Sequence, residues 1–449
     1  MIKRKIDSYL ADFFDTHKKA LMLTGARQIG KTYSIRRFGH EHFERFVEIN
    51  FIENPSLVKV FSKAKNCQDI LLRLSTVTSQ DLIKGNTLVF FDEVQECPEI
   101  VTAIKFLVEE GSYRYILSGS LLGVEIKNLR SAPVGYMDVK DMYPLDFEEF
   151  ATAVGINDRI IDALRKHFTE GTAVDEFIHE KMMEVFRLYL IVGGMPAAVD
   201  KYLATNNLQD VMAEQQAIIR LYKQDIAKYD PEHKLYIQEI FDRIPAELDA
   251  KNKRFILKNL NENIKFARYQ NSFLWLKDAG VALPVYNVEE PTVPLILSSS
   301  RNLFKLFMAD IGLLASLYAD GIQLKILDNE PSINFGSVYE NAVAQELWAH
   351  GFLLYYYNNK RQGELDFVIE QNGEVLPIEV KSGKDYERHK ALTNVVNSTT
   401  YQISKAYVLC NDNVKKVGKI TYLPIYMLMF IKKEQKLPTK YSIDLSGLV

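Results

Sequence analysis

The sequence predicts an α/β protein of four domains, with a phosphate-binding loop on a parallel sheet near its start and a second α/β unit near its end. Three observations predict it. GARQIGKT, Gly25 to Thr32, fits G-x-x-x-x-G-K-[ST] and lies between an apolar run, ALMLTG, and a helical stretch. Apolar runs (FVEIN, TLVFFDE, YRYILSGS) then alternate with helical patterns (SLVKVFSKA, IVTAIKFLVEE), the order of a parallel sheet. Far downstream, the helical pattern SVYENAVAQELWAHG precedes FLLYYYNN, LDFVIEQ, an Asn372-Gly373 turn, VLPIEVKSG and KAYVLC; Asn-Gly between apolar runs signals a hairpin.

The first pattern ends near Tyr143-Pro144, giving a core over 1–145. From DFEEFATAV to Tyr229 the pattern is helical, interrupted by the loop signal Gly193-Gly194-Met195-Pro196, giving a helical unit over 146–229. Over 230–325, three helical segments precede VALPVYNV and NLFKLFMAD, a hairpin with a Pro-containing loop. Helices followed by a two-stranded wing suggest a winged helix. The second α/β domain takes 326–449, with Leu423 to Ile431 as a final core strand.

A net charge of -3 gives no global field toward nucleic acid, so any such site must be a local patch. Cys67, Cys97 and Cys410 form no C-x-x-C pair, which argues against a disulfide framework and structural zinc. MIKRKIDSYL lacks the apolar centre of a signal peptide, and Ile425 to Ile431 is too short to span a bilayer. The expectation is a cytoplasmic protein with no membrane partner.

The loop carries the chemistry of ATP binding. Gly25 and Gly30 let backbone N–H groups of Ala26, Arg27, Gln28 and Ile29 turn toward phosphate oxygens, and the helix beginning at Lys31, Thr32 and Tyr33 favours an anion at its N-terminus. Lys31 would reach the β- and γ-phosphates and Thr32 would ligate magnesium. Asp92 ends the apolar strand LVFFD and would hold the same magnesium; Glu93 would polarise the attacking water. Ser118 or Ser120, ending the neighbouring strand, would sense the γ-phosphate; the plainer reading is a strand-end turn.

GARQIGKT, LVFFDEVQECP, ILSGS, YPLDFEEF, YLIVGGMP and ELDFVIEQ…IEVKSG follow one another as in a bacterial and archaeal family, and the sequence resembles that family over nearly its whole length. Its members join an AAA-type P-loop ATPase to a C-terminal restriction-endonuclease-like domain (the AAA_14/DUF4143 type). The resemblance implies an ATPase core, a helical lid, a winged helix and a nuclease-like tail. Many relatives carry a basic residue, a candidate arginine finger, where this sequence has Tyr136. Tyrosine cannot neutralise phosphate charge as a guanidinium can. Arg130, Lys140 or a residue from another subunit are the alternatives, which leaves oligomerisation open.

In GELDFVIEQNGEVLPIEVKSG, residues two apart on a strand share a face, so Glu379 and Lys381 point together and Asp366 meets Glu379 across the hairpin. Paired carboxylates suit magnesium, and Lys381 would orient a nucleophile. Glu340, on the preceding helix, is a further candidate ligand, and Glu364 shares the face of Asp366. These are the residue types of the PD-(D/E)XK nuclease fold; the plainer reading is a surface strand alternating acids and lysines.

Lys251, Lys253, Arg254, Lys258, Lys265 and Arg268 cluster in the winged-helix segment. A recognition helix over Asn261 to Gly280 would contact DNA through Arg268, Tyr269, Asn271 and Lys277. The other reading is a basic face that docks acidic parts of the same chain. Tyr355 to Tyr357 read as strand packing or base stacking, and Trp275 and Trp348 as core. The functional expectation is an ATP-coupled protein with DNA as partner that clamps it or cuts it with metal. The alternatives are a nucleotide-gated switch that binds DNA or a partner without cutting, and an ATP-binding scaffold.

Overall fold

The computed structural model describes residues 2–78, 81–119, 133, 135–229, 234–250, 253–256, 266–318, 321–328, 330, 335–433 and 441–443. The first unit is a five-stranded parallel sheet in the order β2-β3-β4-β1-β5 (β1 Ala20–Thr24, β2 Arg45–Asn50, β3 Thr87–Asp92, β4 Arg114–Ser118, β5 Met137–Asp141). Every residue of β1 and β3 is buried, as continuous apolar runs in a covered parallel sheet must be. Helices α1 (Lys5–Thr16), α2 (Lys31–His42), α3 (Pro55–Ser62), α4 (Cys67–Val77) and α5 (Pro98–Glu110) surround it.

The helical unit follows as α6 (Phe147–Ala153), α7 (Asp158–Glu170), α8 (Glu176–Val192), α9 (Pro196–Thr205) and α10 (Leu208–Tyr229). Asp146-x-x-Glu149 starts α6 as a capping box, each side chain bonding the other's backbone N–H. Gly194 sits where only glycine fits: a Cβ there would lie 2.1 Å from the Leu145 carbonyl oxygen. Among the described residues no single helix is long and apolar enough to cross a membrane; α8 and α9 together pass by length and composition only, bent by 120°.

Helices α11 (Lys234–Asp249) and α12 (Phe266–Asp278) pack on the expected hairpin, β6 (Ala282–Val288) and β7 (Ser299–Met308). Residues 261–265 of the expected recognition helix lie outside the described part. Short helices α13 (Ile311–Ser316) and α14 (Ile322–Leu327) lead to α15 (Phe335–Ala349), then β8 (Tyr355–Asn359), β9 (Gly363–Gln371), β10 (Glu374–Val380), α16 (Lys390–Val396), β11 (Ala406–Cys410), β12 (Lys415–Val417) and β13 (Ile420–Pro424). Asn372 and Gly373 both take positive φ in the β9–β10 turn.

Two expectations change. The hairpin is not separate from the last unit: Tyr286–Val288 pair in parallel with Tyr355–Tyr357, giving one sheet ordered β12-β13-β11-β10-β9-β8-β6-β7. Strand β8 needs a neighbour on each edge, and β6 supplies the second. The tyrosines are therefore strand packing, with Tyr356 and Tyr357 fully buried. Second, Leu423 to Ile431 is a strand only to Pro424; Ile425–Phe430 is a buried 3-10 helix. A short run apolar on every side cannot be told from a buried helix by periodicity.

Candidate functional site

Gly25, at the end of β1, takes φ 132°, and a Cβ there would lie 2.2 Å from the Met142 carbonyl oxygen. Gln28 and Gly30 take left-handed backbone (φ 63° and 91°), and Gly30 opens α2. Ile29 is buried and anchors the loop from below. Lys31 is buried too; its Nζ donates to the carbonyls of Gly25 (2.9 Å) and Ala26 (2.7 Å). Burial lowers its pKa to about 8, against the opposing pull of Glu93 and Asp92.

Asp92 is the meeting point. Its Oδ2 accepts from Thr32 Oγ1 (3.0 Å) and Asn50 Nδ2 (3.2 Å), and its Oδ1 from Ser118 Oγ. Burial raises its pKa, partly offset by the Ser118 and Thr32 hydrogen bonds. Sheet order explains the convergence, since β2, β3 and β4 are neighbours and end together. Ser118 therefore steadies Asp92 here; Ser120 and Arg130 lie outside the described residues. Glu93 has φ 55° and accepts from Gln95 Nε2 at 2.5 Å.

A 520 Å³ cavity opens beside the loop, lined by Arg27, Gln28, Gly30, Lys31, Thr32, Tyr33 and Glu93 together with Ile2, Arg4, Pro196, Asp200 and Leu221. Arg27 pairs with Asp225 of α10 at 2.5 Å, and Tyr222 donates to the Arg27 carbonyl at 3.1 Å. The turn after α12 closes the back: a Cβ at Gly280 would lie 3.1 Å from the Ala26 nitrogen.

Tyr136 precedes β5, whose first residue aligns with Ala20 and whose last aligns with Thr24, next to the loop. It thus sits at the end of the sheet opposite the loop, bonded to Glu109 at 2.5 Å. Lys140 lies over the Tyr9 ring, 4.7 Å from its centroid.

In the second sheet, the register Ile378 opposite Phe367 sets Glu379 beside Asp366. Lys381 Nζ reaches Glu379 Oε1 at 2.7 Å, as expected of residues two apart, and Asp366 Oδ2 accepts from the Val380 N–H at 2.8 Å. Burial and the neighbouring Asp366 charge raise the Glu379 pKa to about 8; its Oε2 is buried with no hydrogen-bond partner. Glu340 is ion-paired rather than free: Lys253 contacts Oε1 and Lys305 lies 3.5 Å from Oε2. Lys305 also meets Glu364 at 2.9 Å, and Arg254 lies 4.0 Å from Glu364.

Lys253 and Arg254 thus turn inward on acids of the same chain, the second of the two expected readings. Lys251, Lys258 and Lys265 and the side chains of Arg268 and Tyr269 lie outside the described part; Asn271 and Lys277 are exposed. Trp275 is buried, and Trp348 packs edge-on against Tyr143.

An AAA domain (AAA_14) matches residues 17–151, and a domain of unknown function, DUF4143, matches residues 335–428. The chain has the AAA_14/DUF4143 architecture. A second domain of unknown function, DUF8612, matches residues 183–326 between them. No curated protein matches the chain. Among solved structures it is similar to a Walker-type ATPase of Pyrococcus abyssi (15% identity, 71% of this chain and 96% of that one, TM-score 0.42). It is also similar to the Orc1 protein of Aeropyrum pernix in complex with DNA (11%, 74% and 93%, TM-score 0.31). The RuvB Holliday junction branch migration motor of Thermotoga maritima is a third (13%, 66% and 91%, TM-score 0.29).

Some residues at these sites escaped the sequence reading. In the AAA domain, Asn50 ends its strand as Asp92 does, a polar residue closing an apolar run. The Gly-Gly-Met-Pro loop read only as a break, yet Pro196 lines the cavity. Beside the DUF4143 domain, Lys305 is fully buried; a lone lysine within NLFKLFM is the signal, since a buried ammonium requires an acid.

Proposed function

We propose that this protein is an ATP-driven DNA-processing enzyme. The observation that carries the first half is the convergence of Thr32, Asn50 and Ser118 on Asp92 beside a buried Lys31. A hydroxyl and a carboxylate are hard oxygen donors, so Thr32 and Asp92 fit magnesium. When bound, the ion would supply charge neutralisation to the phosphates. Lys31 leaves the two loop carbonyls for the phosphates, Glu93 orients water, and Tyr33 at the cavity rim borders the nucleotide. With Tyr136 at the far end of the sheet, an arginine-finger role falls to Arg130, Lys140 or a neighbouring subunit. Lys31→Ala should abolish ATP binding and turnover; unchanged turnover refutes the assignment.

The second half rests on Asp366, Glu379 and Lys381, which the hairpin register brings together. Asp366 and Glu379 supply oxygens for a metal, Lys381 stabilises the charged transition state, and the exposed Asn271 and Lys277 of α12 face the DNA. Glu340 serves as a counter-charge for Lys253 and Lys305 rather than as a ligand. Plasmid and branched DNA, with magnesium or manganese, with and without ATP, provide the test. Cutting lost in Asp366→Asn and Lys381→Met supports an enzyme.

A second reading is a nucleotide-gated switch whose DUF4143 domain holds DNA or a partner without cutting. The paired acids favour it: Glu379 meets Lys381, Glu340 meets Lys253, Glu364 meets Lys305, and Asp366 accepts from the Val380 N–H. DNA binding without cleavage under every metal selects this reading and overturns the first.

A further inference from the structure

We propose that Asp146, Glu346 and His350 bind a divalent transition-metal ion that fastens the DUF4143 domain to the AAA domain. Among the described residues, these are the acidic, His or Cys side chains whose ligand atoms all lie within 4.8 Å of one another. Asp146 opens α6, Glu346 lies in the last turn of α15 and His350 follows its end, one turn on, so the trio joins two distant parts of the chain.

The geometry fixes where each lone pair points. His350 Nδ1 lies 2.7 Å from the Ile431 carbonyl oxygen. A carbonyl only accepts, so Nδ1 carries the hydrogen, and in the neutral ring Nε2 presents its lone pair. Nε2 faces Glu346 Oε1 at 3.6 Å and Asp146 Oδ2 at 3.7 Å. Neither Nε2 nor Glu346 Oε1 has a hydrogen-bond partner, and the Glu346 side chain is 0% exposed. Three electron-rich atoms facing one another are stabilised by a shared positive charge, and a metal ion supplies it to all three at once.

The surroundings resemble those of a held ligand set. Glu346 Oε2 accepts from the Phe147 N–H (2.9 Å) and Asp146 Oδ1 from the Glu149 N–H (2.9 Å), while the histidine donates its other nitrogen to a backbone carbonyl. Such outer contacts orient metal-binding side chains. One imidazole with two carboxylates suits zinc, cobalt or manganese over calcium or magnesium, which prefer oxygens alone. Asp146 and His350 border a 440 Å³ cavity that gives access. Lys5, whose side chain is 43% exposed, also contacts Asp146 Oδ2 and competes for it.

The full chain, stripped with chelator and free of nucleotide, is dialysed against Zn2+, and bound metal is counted alongside the melting temperature. We expect one Zn2+ per chain and a raised melting temperature. Glu346→Gln and His350→Gln should each weaken binding at least ~10-fold. Lys5→Met should tighten it, while Asp92→Asn and Asp366→Asn leave it unchanged. No retained Zn2+, affinity unaffected by Glu346→Gln and by Lys5→Met, or loss of Zn2+ in Asp366→Asn would overturn the proposal. Because Lys5 is partly exposed, its variant tests the site even where a core substitution prevents folding.

Discussion

Two side chains carry predictions through their protons. Lys31 has its pKa lowered to about 8 by burial. A polyphosphate brings negative charge to the ammonium and raises that value again, so ATP binding above about pH 8 takes up a proton. Titration calorimetry at about pH 8.5, in buffers of different ionisation enthalpy, should give a buffer-dependent binding enthalpy and an affinity that falls as pH rises. A buffer-independent enthalpy would refute the link. Glu379 runs the other way. Its folded pKa is raised from 4.5 to about 8 by burial and Asp366, so the folded state binds more protons than the unfolded chain between those values. Stability from this group therefore falls as pH rises through that window. In Glu379→Gln the fall in melting temperature between about pH 6 and about pH 8.5 should shrink; an equal fall would exclude Glu379 as its source. The loop residues were legible because their pattern is contiguous. Asn50 and Lys305 were not, because their partners Asp92 and Glu340 meet them only through sheet order and helix packing.

At the scale of elements, the Gly-Gly-Met-Pro break between α8 and α9 is a packed joint. Leu145 N–H donates to the Gly194 carbonyl (2.7 Å), and Gly194 N–H to buried Asp310 Oδ2 (2.6 Å). Gly194→Ala forces its methyl into the Leu145 carbonyl and should cost about 1–3 kcal/mol in urea unfolding, as overpacking does. It should also weaken ATP binding, since Pro196 borders the cavity. A variant as stable as the parent would show that α6 and α9 can part freely. Element types were largely readable: the strands around the loop, the capping box of α6 and the Asn372-Gly373 hairpin follow local rules. The end of β13 was not, because the Leu423–Ile431 run offers no polar face to set a period.

At the scale of the molecule, the boundary near residue 325 divides one sheet rather than two domains. A chain ending at Ile326 would keep β6 but lose β8, leaving an unpaired apolar edge. Such a chain should aggregate in size-exclusion chromatography, and co-expression with residues 327–449 should restore a soluble species. A monodisperse truncated chain would contradict this. No local rule reports a pairing between Tyr286 and Tyr355, so this contact was illegible from periodicity.

The back of the phosphate loop is supplied from outside the AAA domain, by the turn at Gly280 that leads into β6. Thermodynamic reciprocity follows. Any ligand of the large sheet that displaces this turn changes the affinity for ATP by some factor, and ATP changes the affinity for that ligand by the same factor. One titration, of nucleotide with and without a ligand, therefore measures both directions of the conversation.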